Sequence, residues 1–178
     1  MKTVIVGCGR VGAGLADVLD RAGHEVTIID RTTTAFDRLP STFGGTAVRG
    51  DGTDEDVLRR AGAEGADLFL ALTEGDNRNI MAAQLAVEAF GARRTIAKVN
   101  DPVRAEAYGH LGIATLCRTT LMMSAVLEGF GLADGLGPGL IEARPHAHGH
   151  EGEAGSDAPA STTAPGAPAG AAPGAREG

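Results

Sequence analysis

A glycine-rich turn near the start of the chain constrains the fold more than any other feature of the sequence. The turn is GCGRVG, residues 7–12, and it stands between a short apolar run and a helical pattern. Gly7 permits a tight turn, Gly9 lets a phosphate approach the backbone, and Gly12 lets the helix pack closely on the strand. Free N–H groups and the positive end of the helix dipole favour an anion at the start of this helix. The turn therefore predicts a β-α-β unit with an anion-binding first loop.

The residues around the turn indicate which anion would bind. Asp30 ends the second apolar run, at about the 20-residue spacing that a dinucleotide-binding unit requires. Its carboxylate would accept hydrogen bonds from ribose hydroxyls and repel a 2′-phosphate, which disfavours NADP although Arg31 adjoins it. Arg10 places a guanidinium inside the turn, where it can hold phosphates as a bidentate donor. We predict a dinucleotide site; the alternatives are a turn kept for packing alone and an assembly module without a ligand.

The rest of the chain predicts the fold class. Short runs rich in β-branched residues alternate with helical patterns as far as about residue 131, which is typical of a parallel sheet with crossover helices. We predict an α/β, Rossmann-like, doubly wound parallel sheet of six strands, at residues 3–6, 26–30, 46–49, 68–72, 95–99 and 114–117. The predicted helices are residues 10–22, 54–61, 77–90, a short helix after Pro102, and 119–130.

Periodicity also predicts which helix faces are buried. The first helix would bury Val11, Leu15, Val18 and Leu19, and the helix at residues 77–90 would bury Ile80, Met81, Leu85 and either Val87 or its neighbours. The last helix carries more apolar side chains than one face requires, namely Leu121, Met122, Met123, Val126, Leu127 and Phe130. Two explanations stay open for it: contact with a partner subunit, and packing on its own sheet.

The composition changes abruptly near residue 136 to Gly, Pro, Ala, Ser, Thr and His without periodicity. We therefore divide the chain into a folded domain at residues 1–132 and a low-complexity tail at residues 133–178, which we expect to be disordered. The tail holds a cluster of His146, His148 and His150. We expect no metal site there, because nothing in the tail would support the histidines as ligands.

Further positions fall on the predicted ligand edge of the sheet, where the strands end, namely Asp51, Thr73, Asn77, Lys98 and Asn100. Asp51 follows the third strand and can contact an adenine edge, although the same residues fit a simple turn before a helix cap at Asp54. Thr73 follows the fourth strand. Lys98 lies near the end of the fifth strand, where it either reaches solvent or meets an anion.

Charge and composition exclude several partners. The net charge of -7 and a pI near 5.2 argue against a nucleic acid, which needs a basic face. No apolar run approaches the roughly 20 residues that span a bilayer, and the first residues lack the apolar core of a signal peptide. We expect a cytoplasmic protein in which Cys8 and Cys117 are reduced, buried thiols.

Six motifs, in this order and spacing, resemble the RCK N-terminal or TrkA-N domain, the cytosolic nucleotide-binding subunit of Trk and Ktr potassium-uptake systems. They are VIVGCGRVG, GHEVTIID, GDGTDEDVLRRAG, LTEGDNRNIMAAQLA, AKVNDP and LGIATL. The likeness covers residues 1–131. It implies binding of NAD(H) or of ATP, ADP or AMP, a homodimer formed through the last helix or a higher ring, and control of a membrane potassium channel or transporter without catalysis. Such a subunit is peripheral at the inner face of the membrane through its partner.

The resemblance also implies roles for single residues. Arg10 would contact phosphate, Asp30 the ribose, Asp51 and Gly52 the adenine side, and Lys98 the phosphates. Many relatives have a proline and then a glutamate near the terminal phosphate where this chain has Arg118-Thr119-Thr120, so Arg118 would bring positive charge instead. The predicted cofactor-binding set is Gly7, Gly9, Arg10, Val11, Gly12, Asp30, Arg31, Asp51, Gly52, Thr73, Lys98 and Arg118.

The competing class is an NAD-dependent oxidoreductase completed by a partner chain. Such an enzyme needs a second region that holds substrate and places an acid or base beside the nicotinamide. Only the Gly/Pro/Ala-rich segment follows residue 131, and the two histidines of the predicted domain, His24 and His110, each adjoin a glycine. We therefore expect no catalytic residues and favour a single-domain regulatory subunit, of the kind that pairs with a paralogous RCK subunit in a ring.

Overall fold

A computed structural model describes residues 1–132 and 139–143. Its strands are β1 (Lys2–Val6), β2 (Glu25–Asp30), β3 (Thr46–Arg49), β4 (Leu68–Ala71), β5 (Thr95–Val99), β6 (Ala114–Cys117) and β7 (Leu140–Ile141). Its helices are α1 (Arg10–Arg21), α2 (Glu55–Arg60), α3 (Asp76–Glu88), α4 (Pro102–His110) and α5 (Arg118–Gly129), with a 3₁₀ helix at Thr33–Arg38.

The strands form one sheet in the order β3-β2-β1-β4-β5-β6-β7. The first six are parallel, and β7 pairs antiparallel with β6. Strand β1 pairs with both β2 and β4, so the chain reverses its direction across the sheet at the β1–β4 boundary. This doubly wound order confirms the predicted fold class and all six predicted strands.

Helices cover both faces of the sheet. Val4 and Val6 of β1 pack in a core cluster with α2 and α3, whereas Ile5 packs in a second cluster with α1 and the 3₁₀ helix. Alternate residues of a strand point to opposite faces, so these two clusters lie on opposite sides of β1. A third cluster joins α3 and α4 to the far half of the sheet. Both cysteines are buried and free.

Two elements were not predicted from the sequence. The 3₁₀ helix lies between β2 and β3, and β7 lies inside the segment that was assigned to the low-complexity tail. Two residues are too few to show strand periodicity, and the pairing with β6 depends on the sheet being already formed. Residues 133–138 and 144–178, which include the three clustered histidines, lie outside the described residues.

The predicted buried faces of α1 and α3 were partly wrong. Helix α1 buries Gly12, Ala13 and Ala16, while Val11 and Val18 are more than half exposed. Helix α3 buries Ile80 as predicted, but its other buried residues are small or polar, and Met81 and Val87 are exposed. Small residues let a helix backbone approach a flat sheet closely. Large apolar residues were therefore a poor guide to the inward face.

Candidate functional site

A cavity of about 630 Å³ opens at the carboxyl ends of β1, β2 and β4. It lies beside the β1–β4 boundary, which is the place where open α/β sheets bind ligands. Its lining residues are Val6, Gly7, Cys8, Gly9, Ile29, Asp30, Arg31, Thr32, Ala35, Arg38, Gly50, Gly52, Leu72, Thr73, Glu74 and Arg78. Six of the predicted site residues are among them: Gly7, Gly9, Asp30, Arg31, Gly52 and Thr73.

The three glycines of the turn differ in what requires them. Gly7 has φ +107°, and a side chain there would lie 2.9 Å from the backbone nitrogen of Thr73. A side chain at Gly12 would collide with the carbonyl of Gly7. Gly9 has an ordinary φ of -78°, and a side chain there would meet nothing within 4 Å. The fold thus needs Gly7 and Gly12, whereas the space in front of Gly9 at the start of α1 is open to a ligand.

The Asp30 carboxylate holds this turn in place. One oxygen accepts a hydrogen bond from the backbone N–H of Cys8 (2.8 Å), and the other accepts from the backbone N–H of Thr32 (2.9 Å). A carboxylate has further lone pairs, so it can still accept from a ribose hydroxyl. Burial raises the pKa of the Cys8 thiol, the negative charge of Asp30 raises it further, and Arg38 opposes both. Cys8 is therefore a protonated packing residue of the turn.

Asp51 does not line the cavity itself, but both of its neighbours, Gly50 and Gly52, do. It accepts hydrogen bonds from the backbone N–H (3.1 Å) and the hydroxyl (2.9 Å) of Thr53. Burial acts to raise the pKa of Asp51, but these bonds and the charges of Arg31 and Arg78 outweigh it and hold the pKa below its ordinary value. Asp51 is thus a fixed carboxylate beside the cavity.

A buried asparagine that the sequence analysis missed fixes the β4–α3 loop. Asn79 is fully buried, and its carbonyl oxygen accepts from the backbone N–H (2.8 Å) and the hydroxyl (2.7 Å) of Thr73. Its amide donates to the carbonyls of Thr73 (2.9 Å) and Lys98 (2.8 Å). These four bonds join the loop at the cavity edge to β5.

Lys98 lies beside a carboxylate of its own chain. The Lys98 side chain is only 9% exposed, and its Nζ lies 3.6 Å from an oxygen of Glu74. Glu74 is 85% exposed and lines the cavity, whereas Lys98 does not. The ammonium of Lys98 is therefore coupled to the cavity through Glu74.

Four other predicted residues lie outside the cavity. Arg10 lines a shallower neighbouring groove of about 510 Å³, which shares Arg38 with the main cavity. Val11 is exposed on α1, and Gly12 is buried against the turn. Arg118 is exposed at the start of α5.

The sequence analysis missed three charged residues that line the cavity, namely Arg38, Glu74 and Arg78. Arg38 lies on the 3₁₀ helix, which has no periodic signal. Arg78 lies in the first turn of α3, the helix that follows β4, and the end of β4 was already assigned to the ligand edge. This position in the sequence was the signal that could have identified Arg78 as a site residue.

Hydrogen bonds connect the start of α3 with the start of α5. One oxygen of Asp76 accepts from the backbone N–H (3.0 Å) and the side-chain amide (2.8 Å) of Asn100. The carbonyl of Asn100 accepts from the hydroxyl of Thr119 (2.6 Å) in the first turn of α5. Helix α5 itself has no buried residue.

The two histidines of residues 1–132 lie away from the cavity. His24 adjoins the amino terminus of Met1 (3.3 Å), and His110 lies 3.8 Å from Glu106 on α4. In the described part of the chain, no helix has the length and apolarity that crossing a bilayer requires.

Residues 3–119 match the family model of the TrkA-N domain. The Trk system potassium uptake protein TrkA of Streptomyces coelicolor is 53% identical over 116 residues, which are 65% of this chain and 52% of that protein. The chain thus spans about half the length of this relative.

Solved structures share the fold. The Kef CTD of Shewanella denitrificans in its AMP-bound form has a TM-score of 0.60 and 23% identity, over 75% of this chain and 82% of that chain. The GsuK channel bound to NAD has a TM-score of 0.58 and 21% identity, over 71% of this chain and 23% of that chain.

Proposed function

Because this chain belongs to the TrkA-N domain family, we propose that it is a regulatory subunit that binds NAD(H) or an adenine nucleotide (ATP, ADP or AMP) and controls a potassium channel or transporter. The observation that carries the proposal is the open space in front of Gly9, at the start of α1 and inside a cavity that Asp30 also lines. A phosphate there would meet free N–H groups and the positive end of the helix dipole.

Each part of such a nucleotide has a candidate contact. The turn at residues 7–9 would bind phosphate, and Asp30 would accept hydrogen bonds from the ribose. Asp51 and Gly52 lie on the adenine side, at the end of β3. Arg10 and Arg38 bring positive charge to the neighbouring groove, and Lys98 could exchange Glu74 for a ligand phosphate.

The names of related structures support the same ligand class. The Kef domain was solved with AMP and the GsuK channel with NAD, and both ligands contain adenosine monophosphate. Asp30 disfavours NADP, because a 2′-phosphate would face a carboxylate that already holds the turn.

We propose that α5 carries the response to the ligand. Its exposed apolar side chains suit a homodimer or a higher ring, with a paralogous subunit as a further possible member. A nucleotide that binds one arrangement of the subunits better than another would shift the population between them. The name of the Streptomyces relative supports a membrane potassium transporter as the partner, which would hold this chain at the cytoplasmic face.

The oxidoreductase alternative has less support. The ionisable side chains that line the cavity are two carboxylates, three arginines and the Cys8 thiol, and the histidines of residues 1–132 lie elsewhere. The Asp30 carboxylate accepts a hydrogen bond from the backbone of the glycine turn, and Glu74 is paired with Lys98. We therefore propose a binding role without a chemical step.

Nucleotide titrations of a matched pair of glycine variants test the proposal. The ligands are NAD, NADH, NADP, ATP, ADP and AMP, and the readouts are thermal stability and calorimetric affinity. A true ligand at 100 times its Kd adds about 2.7 kcal/mol of stability. Gly9→Ala should fold, because its side chain meets no protein atom, and should weaken binding at least tenfold. Gly129→Ala, also in open space but at the end of α5 and outside the lining of both the cavity and the groove, should bind like the wild type.

Two outcomes would overturn the proposal. Absence of stabilisation of the wild-type protein by every ligand would leave the glycine turn a packing feature. Equal affinities of the wild type and Gly9→Ala would remove the turn from the binding site. A change in nicotinamide absorbance when candidate substrates are added would favour the oxidoreductase instead.

A further inference from the structure

Arg78 is a charged residue of the cavity whose side chain has no hydrogen bond or ion pair within residues 1–132 and 139–143. It lies in the first turn of α3, is half-buried and lines the cavity. The other two arginines of the lining do have partners: Arg31 lies 3.7 Å from Asp51, and Arg38 donates to the carbonyl of Ala35 (3.3 Å). A guanidinium carries five N–H donors and no acceptor. The Arg78 side chain is therefore available to a ligand in the cavity.

Arg78 and Arg31 line the same cavity as Gly50 and Gly52, the two neighbours of Asp51. Arg31 lies 3.7 Å from the Asp51 carboxylate, and the charges of both arginines lower the pKa of Asp51. Arg31 follows the end of β2, and Arg78 follows the end of β4 on the other side of β1. Guanidinium-bearing side chains from two different elements thus line the one cavity.

The order of contacts along the sheet edge indicates which part of a nucleotide reaches this end. Phosphate would lie at the start of α1 and ribose at the end of β2, so the base comes next, toward the end of β3. The cavity lining contains no aromatic side chain. Bases that lack an aromatic partner stack on the planes of arginine side chains.

We propose that Arg78 and Arg31 hold the adenine base by stacking their guanidinium planes on it, with Asp51 at the base edge. This inference rests on the proposed function, because it names the recognition of the base within the same cavity. Arg78 is then a contact to the base, and the phosphate site at α1 is separate from it.

Calorimetric titration with AMP, ADP and NAD tests this role in four proteins: the wild type, Arg78→Met, Arg78→Lys and Arg94→Met. Arg78→Met should weaken all three ligands by about the same factor, roughly tenfold, because they share the adenine and differ in their phosphates. Arg78→Lys should bind as weakly as Arg78→Met, since an ammonium keeps the charge but has no plane to stack. Arg94→Met is the control, because Arg94 is exposed at the opposite edge of the sheet, just before β5.

The outcomes separate this inference from the function on which it rests. If the wild type binds none of the ligands, the proposed function fails. If the wild type binds and Arg78→Met stays within twofold of it, Arg78 is not a ligand contact and the inference is wrong. If Arg78→Lys restores the affinity, Arg78 contacts phosphate as a charge, and the stacking role is wrong while the function stands.

Discussion

Helices α3 and α5 have nearly the same length and both follow a parallel strand, yet they differ in burial. Helix α3 buries Asn79, Ile80, Ala82, Ala83 and Ala86. Helix α5 has the more apolar composition and buries nothing, and four of its large side chains are more than 40% exposed: Leu121, Met122, Met123 and Val126.

The comparison indicates that contact with the sheet, and not apolar composition, decides which residues of a helix are buried. Helix α3 packs on β4 and β5 through small residues, and its polar Asn79 is buried because all its hydrogen-bonding groups find partners. Helix α5 follows the last parallel strand and buries none of its residues, although Leu121 lies next to Gly139. Such an exposed apolar surface is typical of an interface with another chain.

The largest expected effect tests the buried side of α3. Ile80→Ala should lower the free energy of unfolding by about 3 kcal/mol, because it leaves a cavity in a closely packed core. Met81→Ala, on the exposed side of the same helix, should change it by less than about 1 kcal/mol. Urea denaturation measures both. Equal losses would contradict the burial pattern of α3.

A smaller loss is expected for the buried polar contact. Asn79→Ala removes four hydrogen bonds and leaves the carbonyls of Thr73 and Lys98 without that partner, which should cost about 2 kcal/mol. Asn77→Ala, two positions earlier on α3, is the control; it removes one exposed hydrogen bond from Arg104 and should cost less than about 1 kcal/mol. If urea denaturation gives similar losses of unfolding free energy for the two variants, Asn79 does not fix the loop.

We expect a still smaller loss of stability when the hydrogen-bonded contact between α3 and α5 is broken. Thr119→Val removes the hydrogen bond from α5 to Asn100 and should cost about 0.5–1 kcal/mol, because the site is exposed. Thr120→Val is the matched control, since no hydrogen bond of the Thr120 hydroxyl occurs in the described part of the chain. The same pair tests whether this contact takes part in the proposed response of α5 to the ligand: Thr119→Val should leave nucleotide affinity unchanged and alter the ligand dependence of self-association.

The smallest effect on folding is expected on α5. Met122→Ala combined with Val126→Ala should change the unfolding free energy of the dilute protein by less than about 0.5 kcal/mol, since both side chains are exposed. The same double variant should weaken self-association, measured by light scattering over a range of concentrations. A large loss of stability in the dilute protein would show that α5 packs on its own chain.

The candidate site was partly predictable from the sequence. Gly7, Gly9 and Asp30 were found because their spacing is set by local geometry: a turn, a helix start and the end of the next strand. Arg78, Glu74 and Asn79 were missed because their roles depend on which side of α3 and of its preceding loop faces the cavity. The predicted contacts of Arg10, Lys98 and Arg118 stay predictions, since these residues lie outside the cavity lining.

The sequence alone predicted the six parallel strands, the doubly wound fold class and the glycine turn, because each depends on residues close together in the chain. The tertiary structure decided which faces of α1 and α3 are buried, that Leu140–Ile141 joins the sheet, and that α5 exposes its apolar side chains. These features depend on which surface lies opposite each element. Burial is set by contacts between distant parts of the chain, and periodicity within one element cannot specify them.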